Sequence, residues 1–312
     1  MKKDLIGIKD LNSKEVEELL ELTSELKNDP AKFDRTLKGK SLALIFEKPS
    51  NRTYVSFQVG MYELGGNSIY LGPEHIKLGV RESIPDIART LSRYVDGIVF
   101  RTFAQKSLLE MAKYSKVPVI NGLSDLTHPC QGLADIYTIK EKFGKFKGLI
   151  LVYIGDGNNV CHSLLYAASK VGLNLNIATP KGYAPDPAIV EETKKIGNKT
   201  GCRIKLFLNP QEAVKGADVI YTDVWASMGQ ETEAKKREKA FKDFQVNNGL
   251  VKKAFKNALI MHCLPAHRGL EITSEIMDSL NSIVFDQAEN RMHVQKAILI
   301  KLLAPEANGN ED

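Results

Sequence analysis

Short apolar runs alternate with helical segments along most of this 312-residue chain. Residues 41–46 (SLALIF) are such a run, and the next segment carries Val55, Val59 and Tyr62 at helical spacing. Strands that alternate with helices pair in parallel, because each helix returns the chain to the start of the next strand. Such strands are apolar throughout, since helices cover both of their faces. The sequence therefore predicts an α/β fold of parallel sheets with helices on both faces.

The alternation occurs in two series, which predicts two similar domains linked by long helices. A length of 312 residues is enough for two domains, and a short basic hinge at residues 144–148 separates the series. We expect one domain at residues 1–143, completed by the C-terminal helix at about 290–312, and the other at residues 144–289. The predicted strands are residues 41–46, 68–71, 97–100 and 117–121 in the first series, and residues 149–154, 175–178, 204–208, 219–223, 257–262 and 283–285 in the second.

Composition excludes several classes of function. The formal net charge is +5, but basic and acidic residues are interspersed, unlike the clustered basic surface of a nucleic-acid-binding protein. No apolar stretch is long enough to cross a bilayer, and residues 1–4 do not begin a signal peptide. The four cysteines have no metal-type spacing. We expect a reduced, cytoplasmic protein with free thiols, no metal site and no disulfide.

The turn after the first strand carries residues suited to binding a phosphate. Ser50 is a good N-cap for the helix that follows, and Arg52 and Thr53 lie in its first turn. A helix N-terminus offers unpaired N–H groups and a partial positive charge, and an arginine can add a bidentate contact. These residues predict a phosphate site, with an ordinary capped helix as the alternative.

Polar residues also follow the later strands of the first series. Arg101 comes directly after residues 97–100, at the carboxyl end of a strand, where α/β sheets keep their ligands. His128 and Gln131 lie beside a helix start, and both can donate a hydrogen bond to a carbonyl or phosphate oxygen. A capping loop with an incidental histidine is the alternative, and Cys130 is interpreted as a packing residue.

The strands of the second series end in polar loops too. Residues 155–159 (GDGNN) are similar to the start of a dinucleotide fingerprint, but the third glycine is missing. Asn159 can still present its amide to a polar ligand. Asp223 lies where a carboxylate can bind an amine, and residues 227–229 (SMG) form a small loop whose backbone can hold a carboxylate. Cys263 has cationic neighbours in sequence that can activate a thiol, and a buried structural cysteine is the alternative.

Taken together, these motifs resemble those of the aspartate/ornithine carbamoyltransferase family, and the resemblance covers nearly the whole chain. The Ser227–Met228 loop and the His262–Cys263 pair are similar to the ornithine branch, since the aspartate branch has no cysteine at that place. The motifs that carry the resemblance are residues 50–53 (SNRT), 100–101 (FR), 128–131 (HPCQ), 155–159 (GDGNN), 223–229 (DVWASMG), 262–265 (HCLP) and 289–291 (ENR).

The resemblance implies transfer of the carbamoyl group of carbamoyl phosphate to the δ-amino group of L-ornithine, which gives L-citrulline and phosphate. The residues expected to take part in catalysis are Arg101, His128, Asp223 and Cys263. Carbamoyl phosphate is expected to contact Ser50, Asn51, Arg52, Thr53, Lys77, Arg101, His128, Gln131, Cys263, Leu264 and Arg291. Ornithine is expected to contact Asn159, Asp223, Ser227 and Met228.

The resemblance also implies how the reaction proceeds. The δ-amine must be neutral to attack the carbonyl carbon, and Asp223 and Cys263 would accept its hydrogen bonds. Arg101, His128 and the Thr53 hydroxyl would donate to the oxyanion of the tetrahedral intermediate. Holding both substrates together supplies much of the acceleration. Neither a covalent intermediate nor a metal or organic cofactor is required.

The expected partners are the two small-molecule substrates, with no nucleic acid and no membrane. The resemblance implies a homotrimer, or a multiple of trimers, with a site shared between subunits. In the family, the loop that holds Lys77 reaches into the neighbouring subunit's site, although relatives carry other polar residues at this position.

Two positions depart from the family's usual Ser-Thr-Arg-Thr-Arg pattern. Asn51 replaces the first threonine and is tolerable if that position acts mainly through its backbone N–H. Tyr54 replaces the last arginine, which removes a positive charge close to the phosphate. We expect weaker electrostatic binding of carbamoyl phosphate, or compensation by Lys48, Lys77 or Arg81.

Three alternatives remain open. A carbamoyltransferase for another amine such as putrescine is disfavoured by residues 227–229, because a diamine has no carboxylate to bind. A nucleotide-dependent oxidoreductase is disfavoured by the missing third glycine, and an inactive relative by the near-complete set of site residues. The sequence does not distinguish arginine synthesis from the reverse, catabolic direction.

Overall fold

The computed structural model describes residues 3–74, 76, 82–226 and 231–304. The chain divides into two compact units. The first comprises Met1–Leu133 and Arg291–Asp312, and the second comprises Ala134–Asn290. Within the described ranges, no helix combines the length and the apolar character needed to span a membrane.

The first unit contains a parallel sheet that is flanked by helices. Its elements are α1 (Ser13–Asn28), β1 (Ser41–Phe46), α2 (Asn51–Glu63), β2 (Asn67–Leu71), α3 (Ile84–Leu91), β3 (Gly97–Arg101), α4 (Gln105–Tyr114), β4 (Val119–Leu123) and the start of α5 (Pro129–Phe143). The strands pair in the order β2-β1-β3-β4. Phe46 pairs with Arg101, so the carboxyl ends of β1 and β3 lie side by side. The strand order reverses between these two strands, and open α/β sheets bind ligands at such a point.

The strand, turn and helix predicted around Ser50 are confirmed. β1 ends at Phe46, and α2 begins directly after its N-cap, Ser50. Phe57 and Met61 bury the inner face of α2, whereas Tyr62 is 80% exposed. The buried face fixes the rotation of α2, and this rotation fixes where the side chains of its first turn lie.

The second unit contains a five-stranded parallel sheet, also flanked by helices. Its elements are β5 (Ile150–Ile154), α6 (Asn159–Val171), β6 (Asn174–Ala178), α7 (Pro187–Thr200), β7 (Ile204–Phe207), α8 (Pro210–Ala213), β8 (Val219–Thr222), α9 (Ala234–Phe241), α10 (Asn248–Val251), β9 (Leu259–His262), α11 (Ser274–Met277) and the start of α12 (Val284–Leu303). The strand order is β7-β6-β5-β8-β9. Thr222 pairs with Ile154 on one side and with His262 on the other, so three strands end together. The predicted α/β class, with two parallel sheets, is confirmed.

The prediction of a strand at residues 283–285 is wrong. These residues lead into α12, which begins at Val284 rather than near residue 290. Three apolar residues are too few to establish a strand period, and the following Asp-Gln-Ala-Glu segment favours a helix. Arg291 therefore lies within α12 and not at its start. The division between the two units falls inside α5 and α12.

Candidate functional site

The turn between β1 and α2 holds two hydroxyl groups and an arginine together. Ser50 Oγ accepts a hydrogen bond from the Thr53 N–H at 3.3 Å and donates one to Thr53 Oγ1 at 3.1 Å. Arg291, from α12, donates from Nη2 to the same Thr53 Oγ1 at 2.7 Å. The turn thus combines a helix N-terminus, hydroxyl groups and a guanidinium, which are the usual elements of a phosphate site.

Three arginines of the first unit lie close enough to repel one another. Burial, together with the charges of Arg291 and Arg52, lowers the pKa of Arg101 to about 9. Arg101 donates from its Nε to the Lys48 carbonyl at 3.2 Å, and its terminal amino groups can donate to an anionic ligand. Positive charges packed in this way are stabilised by an anion bound beside them.

His128 precedes α5 and is 5% exposed. Burial lowers the pKa of its imidazole well below the ordinary value of 6.5, and the charges of Arg291, Arg101 and Arg52 lower it further. The imidazole is therefore neutral at pH 7 and can donate from one ring nitrogen to a carbonyl oxygen.

Cys130 and Gln131 lie in the first turn of α5 and are buried. Burial raises the pKa of the Cys130 thiol to about 12, and its Sγ donates to the Asn121 carbonyl at 3.6 Å. Cys130 therefore packs as an inert thiol, as the sequence suggests. Gln131 adds a carboxamide to the same helix start as His128.

Tyr54 stands where the family usually has an arginine, and Lys48 is one of the residues predicted to compensate for the missing charge. Lys48 pairs with the carboxylate of Asp125, and its Nζ lies 4.2 Å from the centroid of the Phe103 ring. The ring of Tyr54 packs against that of Tyr70, with 4.6 Å between centroids. Asp125 offsets part of the charge of Lys48, so compensation by this residue stays a prediction.

Asp223 and Cys263 of the second unit form a hydrogen-bonded pair. The Cys263 thiol donates to Asp223 Oδ1 at 3.0 Å, and the Val224 N–H donates to the same oxygen at 2.8 Å. Burial, and then the charge of Asp223, raises the pKa of Cys263 well above the ordinary value of 9. Cys263 is therefore a protonated thiol at neutral pH and not a nucleophilic thiolate.

Asn158, which the sequence analysis did not single out, holds the other oxygen of the carboxylate. Its Nδ2 donates to Asp223 Oδ2 at 2.8 Å, while its Oδ1 accepts from the N–H groups of Val160 and Cys161 at 3.0 and 3.1 Å. The predicted ligand Asn159 is the next residue and begins α6. The N-cap preference of asparagine was the one signal that could have identified Asn158.

Gly157 is the second glycine of residues 155–159, the segment that is similar to a dinucleotide fingerprint, and close packing requires a glycine at this position. A Cβ at Gly157 would lie 2.2 Å from the Pro185 nitrogen and 2.4 Å from the Ala184 carbonyl carbon. The protein's own backbone therefore occupies the space beside this glycine. Its presence is explained without a dinucleotide.

Asp223, His262 and Cys263 offer metal-type ligand atoms within 4.8 Å of one another. Both ring nitrogens of His262 are engaged, since Nδ1 accepts from the Leu264 N–H at 2.9 Å and Nε2 lies 3.1 Å from Glu271 Oε1. A metal ion would have to displace these hydrogen bonds and the Cys263 proton. The geometry favours a hydrogen-bonding role, and the expected absence of a metal stays a prediction.

The remaining predicted residues fall into two groups. Asn51 is exposed at the start of α2, and Leu264 follows Cys263 with a φ of +57°. The predicted residues that lie outside the described ranges are Lys77, Ser227 and Met228, together with Arg81. Within the first unit the structure brings Ser50, Thr53 and Arg291 into direct contact, and within the second it joins Asp223 to Cys263. The roles assigned to these residues stay predictions.

Comparisons with known proteins agree along almost the whole chain. Residues 3–141 match the family model described as "Aspartate/ornithine carbamoyltransferase, carbamoyl-P binding domain". Residues 147–302 match the model described as "Aspartate/ornithine carbamoyltransferase, Asp/Orn binding domain".

Individual relatives give the same result. The chain is 53% identical to an ornithine carbamoyltransferase of Thermococcus kodakarensis, with 95% of both chains covered, and 51% identical to one of Anoxybacillus flavithermus, with 96% of both covered. The solved structure of the ornithine carbamoyltransferase from Pyrococcus furiosus superposes with a TM-score of 0.93 at 51% identity, covering 96% of each chain. The two family models and these relatives together show that the chain belongs to the aspartate/ornithine carbamoyltransferase family.

Proposed function

We propose that this enzyme transfers the carbamoyl group of carbamoyl phosphate to the δ-amino group of L-ornithine, releasing L-citrulline and phosphate. The observation that carries the proposal is the packing of Arg52, Arg101 and Arg291, which contributes to lowering the pKa of Arg101 to about 9. Such a group favours a strongly anionic ligand, and a phosphate next to the Thr53 hydroxyl supplies one. Membership of the family specifies the phosphate as that of carbamoyl phosphate.

In this proposal the first unit, corresponding to the predicted domain 1–143 with the C-terminal helix, binds carbamoyl phosphate. The backbone N–H groups at the start of α2 and the Ser50 hydroxyl hold the phosphate, because a helix N-terminus favours an anion. Arg101 and His128 donate to the carbonyl oxygen. The further contacts proposed for carbamoyl phosphate are Asn51, Arg52, Thr53, Lys77, Gln131, Cys263, Leu264 and Arg291.

The second unit, corresponding to the predicted domain 144–289, binds ornithine. Asp223 Oδ1 already accepts two hydrogen bonds, whereas Oδ2 accepts the one from Asn158 and retains a lone pair for an amine. We assign the amino-acid part of ornithine to Asn159, Ser227 and Met228. The negative charge of Asp223 then attracts the cationic substrate.

The reaction follows from the charges that each step creates. The δ-amine loses its proton and attacks the carbonyl carbon, forming a C–N bond and a tetrahedral oxyanion. Arg101 and His128 are preorganised donors for that oxyanion, and removal of one such donor typically slows a reaction by about 10²–10³. The carbonyl then re-forms as the C–O bond to phosphate breaks, and the new C–N nitrogen gives its extra proton to the departing phosphate. Arg52 and the start of α2 hold the departing charge.

The proposal also includes assembly into a homotrimer, or a multiple of trimers, and a cytoplasmic location. Lys77 belongs to the segment that, in a homotrimer or a multiple of trimers, reaches a neighbouring subunit's site. The four cysteines are free and buried, which fits a reducing, cytoplasmic compartment.

The decisive experiment measures the carbamoylated product that forms from carbamoyl phosphate with ornithine, putrescine or aspartate, each offered separately. Saturable turnover with ornithine, and none with aspartate, is expected. Preferred turnover of putrescine would establish the alternative acceptor, and no turnover with any amine would exclude a carbamoyltransferase. Light scattering of the same preparation gives the mass of the assembly.

A further inference from the structure

A buried carboxylate lies behind the turn that carries Cys263. The side chains of His262 and Glu271 are both 0% exposed, and the distance from His262 Nε2 to Glu271 Oε1 is 3.1 Å. The same Oε1 accepts a hydrogen bond from the His267 N–H at 2.5 Å. One carboxylate oxygen therefore contacts both ends of the segment 262–267.

The hydrogen bond from Leu264 determines the tautomer of His262. The Leu264 N–H donates to Nδ1 at 2.9 Å, so Nδ1 carries the lone pair. The proton of a neutral ring is then on Nε2, where it is donated to Glu271. With the proton on Nδ1 instead, the ring would present an N–H group to the N–H group of Leu264.

This tautomer supports an unusual backbone conformation. Leu264 has a φ of +57°, in the left-handed region that residues with a side chain rarely adopt. Its N–H group is held by His262, whose own N–H donates to Gln287 Oε1 at 2.9 Å. Cys263 lies between these two anchored residues, which fixes its Sγ at 3.0 Å from Asp223 Oδ1.

The chemistry of Glu271 favours a role beyond packing. Its Oε2 is buried and has no hydrogen-bond partner among the residues that the structure describes. A buried carboxylate with an unsatisfied oxygen costs stability, and an apolar side chain of similar size would avoid that cost. The carboxylate does provide an acceptor for the Nε2–H group, which an apolar side chain cannot.

We propose that Glu271 is a positioning residue that acts through His262: its carboxylate fixes the tautomer that holds Leu264 and thereby keeps the Cys263 thiol against Asp223. The inference rests on the proposed function, in which Cys263 and Leu264 contact the substrates. It adds to that function a residue that touches neither substrate.

Two pairs of variants test the proposal. Glu271→Gln retains an acceptor oxygen, whereas Glu271→Leu removes it at similar size. His262→Asn retains an acceptor near the position of Nδ1, whereas His262→Gln retains only a group near the position of Nε2. Each protein is assayed for kcat and for the KM of ornithine, and for carbamoyl phosphate affinity, which reports on the first unit.

Glu271→Leu should lower kcat/KM for ornithine on the order of 10- to 100-fold, as is typical when a residue that orients a functional side chain is lost. Glu271→Gln should restore most of the activity. Carbamoyl phosphate affinity should change much less than ornithine affinity in both variants, because most of its proposed contacts lie in the first unit. His262→Asn should retain more activity than His262→Gln. In the His262→Asn background, Glu271→Leu should have little further effect, because the hydrogen bond between residue 262 and Glu271 is already lost.

Alkylation by iodoacetamide, mapped by mass spectrometry, provides a readout that does not need turnover. Glu271→Leu should speed modification of Cys263 several-fold while Cys130, Cys161 and Cys202 remain as slow as in the parent protein. Unchanged kinetics and unchanged Cys263 modification in Glu271→Leu would overturn the proposal. So would equal losses in Glu271→Gln and Glu271→Leu, or a parallel rise at all four cysteines. If the parent protein makes no citrulline, the proposed function is wrong, and the alkylation result still decides the role of Glu271.

Discussion

The thiol of Cys263 donates a hydrogen bond to Oδ1 of Asp223 across 3.0 Å. Burial and the neighbouring carboxylate both raise the pKa of the thiol, so the proton stays on sulfur. The pair is therefore a donor and an acceptor held together before any substrate binds. In the proposed reaction it orients an amine and does not form a bond to carbon.

Replacement of Cys263 by alanine should lower turnover and weaken ornithine binding, while carbamoyl phosphate binding is largely spared because most of its proposed contacts lie in the first unit. The lost contact is one hydrogen bond to a charged group, worth about 1.5–3 kcal/mol, or on the order of 10- to 100-fold in affinity. Steady-state kinetics and calorimetric titration measure the change. Norvaline, which lacks the δ-amine, should bind the variant nearly as well as the parent protein.

The matched control for this variant is Cys202→Ala. Cys202 is also buried in the second unit, and its Sγ donates to the Leu173 carbonyl at 2.8 Å. The control should lower thermal stability without changing ornithine affinity. Unchanged ornithine binding in Cys263→Ala would contradict the role given to this thiol.

Asp223→Asn should reduce ornithine affinity more than Cys263→Ala does. The substitution removes the negative charge that attracts a cationic substrate, and it places an amide NH₂ group near Asn158 Nδ2 or the Cys263 thiol. We expect the affinity for ornithine to fall by at least about 100-fold, the upper end for a charged hydrogen bond. Carbamoyl phosphate affinity should stay constant, and a parallel loss of both affinities would show a wider disturbance.

The sequence predicts the sheets and the ends of their strands well, because both are local patterns. Residues 41–46 are a strand with the predicted bounds, and Arg101 and Asp223 lie at or just after strand ends, as expected. Short elements carry too little periodicity to predict. The sequence does not predict the four-residue helices α8, α10 and α11, and its prediction of a strand at residues 283–285 is wrong.

Hydrogen-bond partners that meet only through tertiary packing cannot be predicted from the sequence either. Asn158 and Asn159 are adjacent and identical in type, and only the start of α6 distinguishes the N-cap from the first helical residue. Glu271 is separated from His262 by a loop, and no spacing rule predicts that its carboxylate reaches the imidazole. Such contacts depend on which strand ends lie together, and this is a property of the whole sheet.

Anion binding to the first unit should weaken as the pH rises through about 9. Burial and the charges of Arg291 and Arg52 lower the pKa of Arg101 to about 9, so the free protein loses this positive charge above that pH. Sulfate is a suitable probe because its charge is constant from pH 7 to about 11. Its affinity should decline toward tenfold per pH unit above about 9. Arg101→Gln should bind sulfate more weakly, without this decline, and an unchanged decline in the variant would assign the titration to another group.

Acid should destabilise the first unit through His128. Its pKa in the folded protein lies well below 6.5, because the ring is buried and faces three arginines. As the pH falls below 6.5, the unfolded chain binds a proton that the folded protein does not. The free energy of unfolding should then fall by up to about 1.4 kcal/mol per pH unit from this group. Potentiometric measurement of proton uptake on unfolding between pH 5 and 7 should show up to one proton fewer in His128→Asn, and equal uptake would refute the assignment.

Tyr54→Arg should strengthen carbamoyl phosphate binding in a salt-dependent manner. The substitution adds a positive charge to the first turns of α2, and Lys48, the predicted compensating residue that the structure describes, is already paired with Asp125. A several-fold gain in affinity at low ionic strength that shrinks as salt rises is expected, because exposed charges are screened. Tyr54→Leu is the matched control, since it also removes the contact with the Tyr70 ring, 4.6 Å away between centroids, but adds no charge. Equal, salt-insensitive affinities in the parent protein and Tyr54→Arg would show that Tyr54 imposes no electrostatic cost.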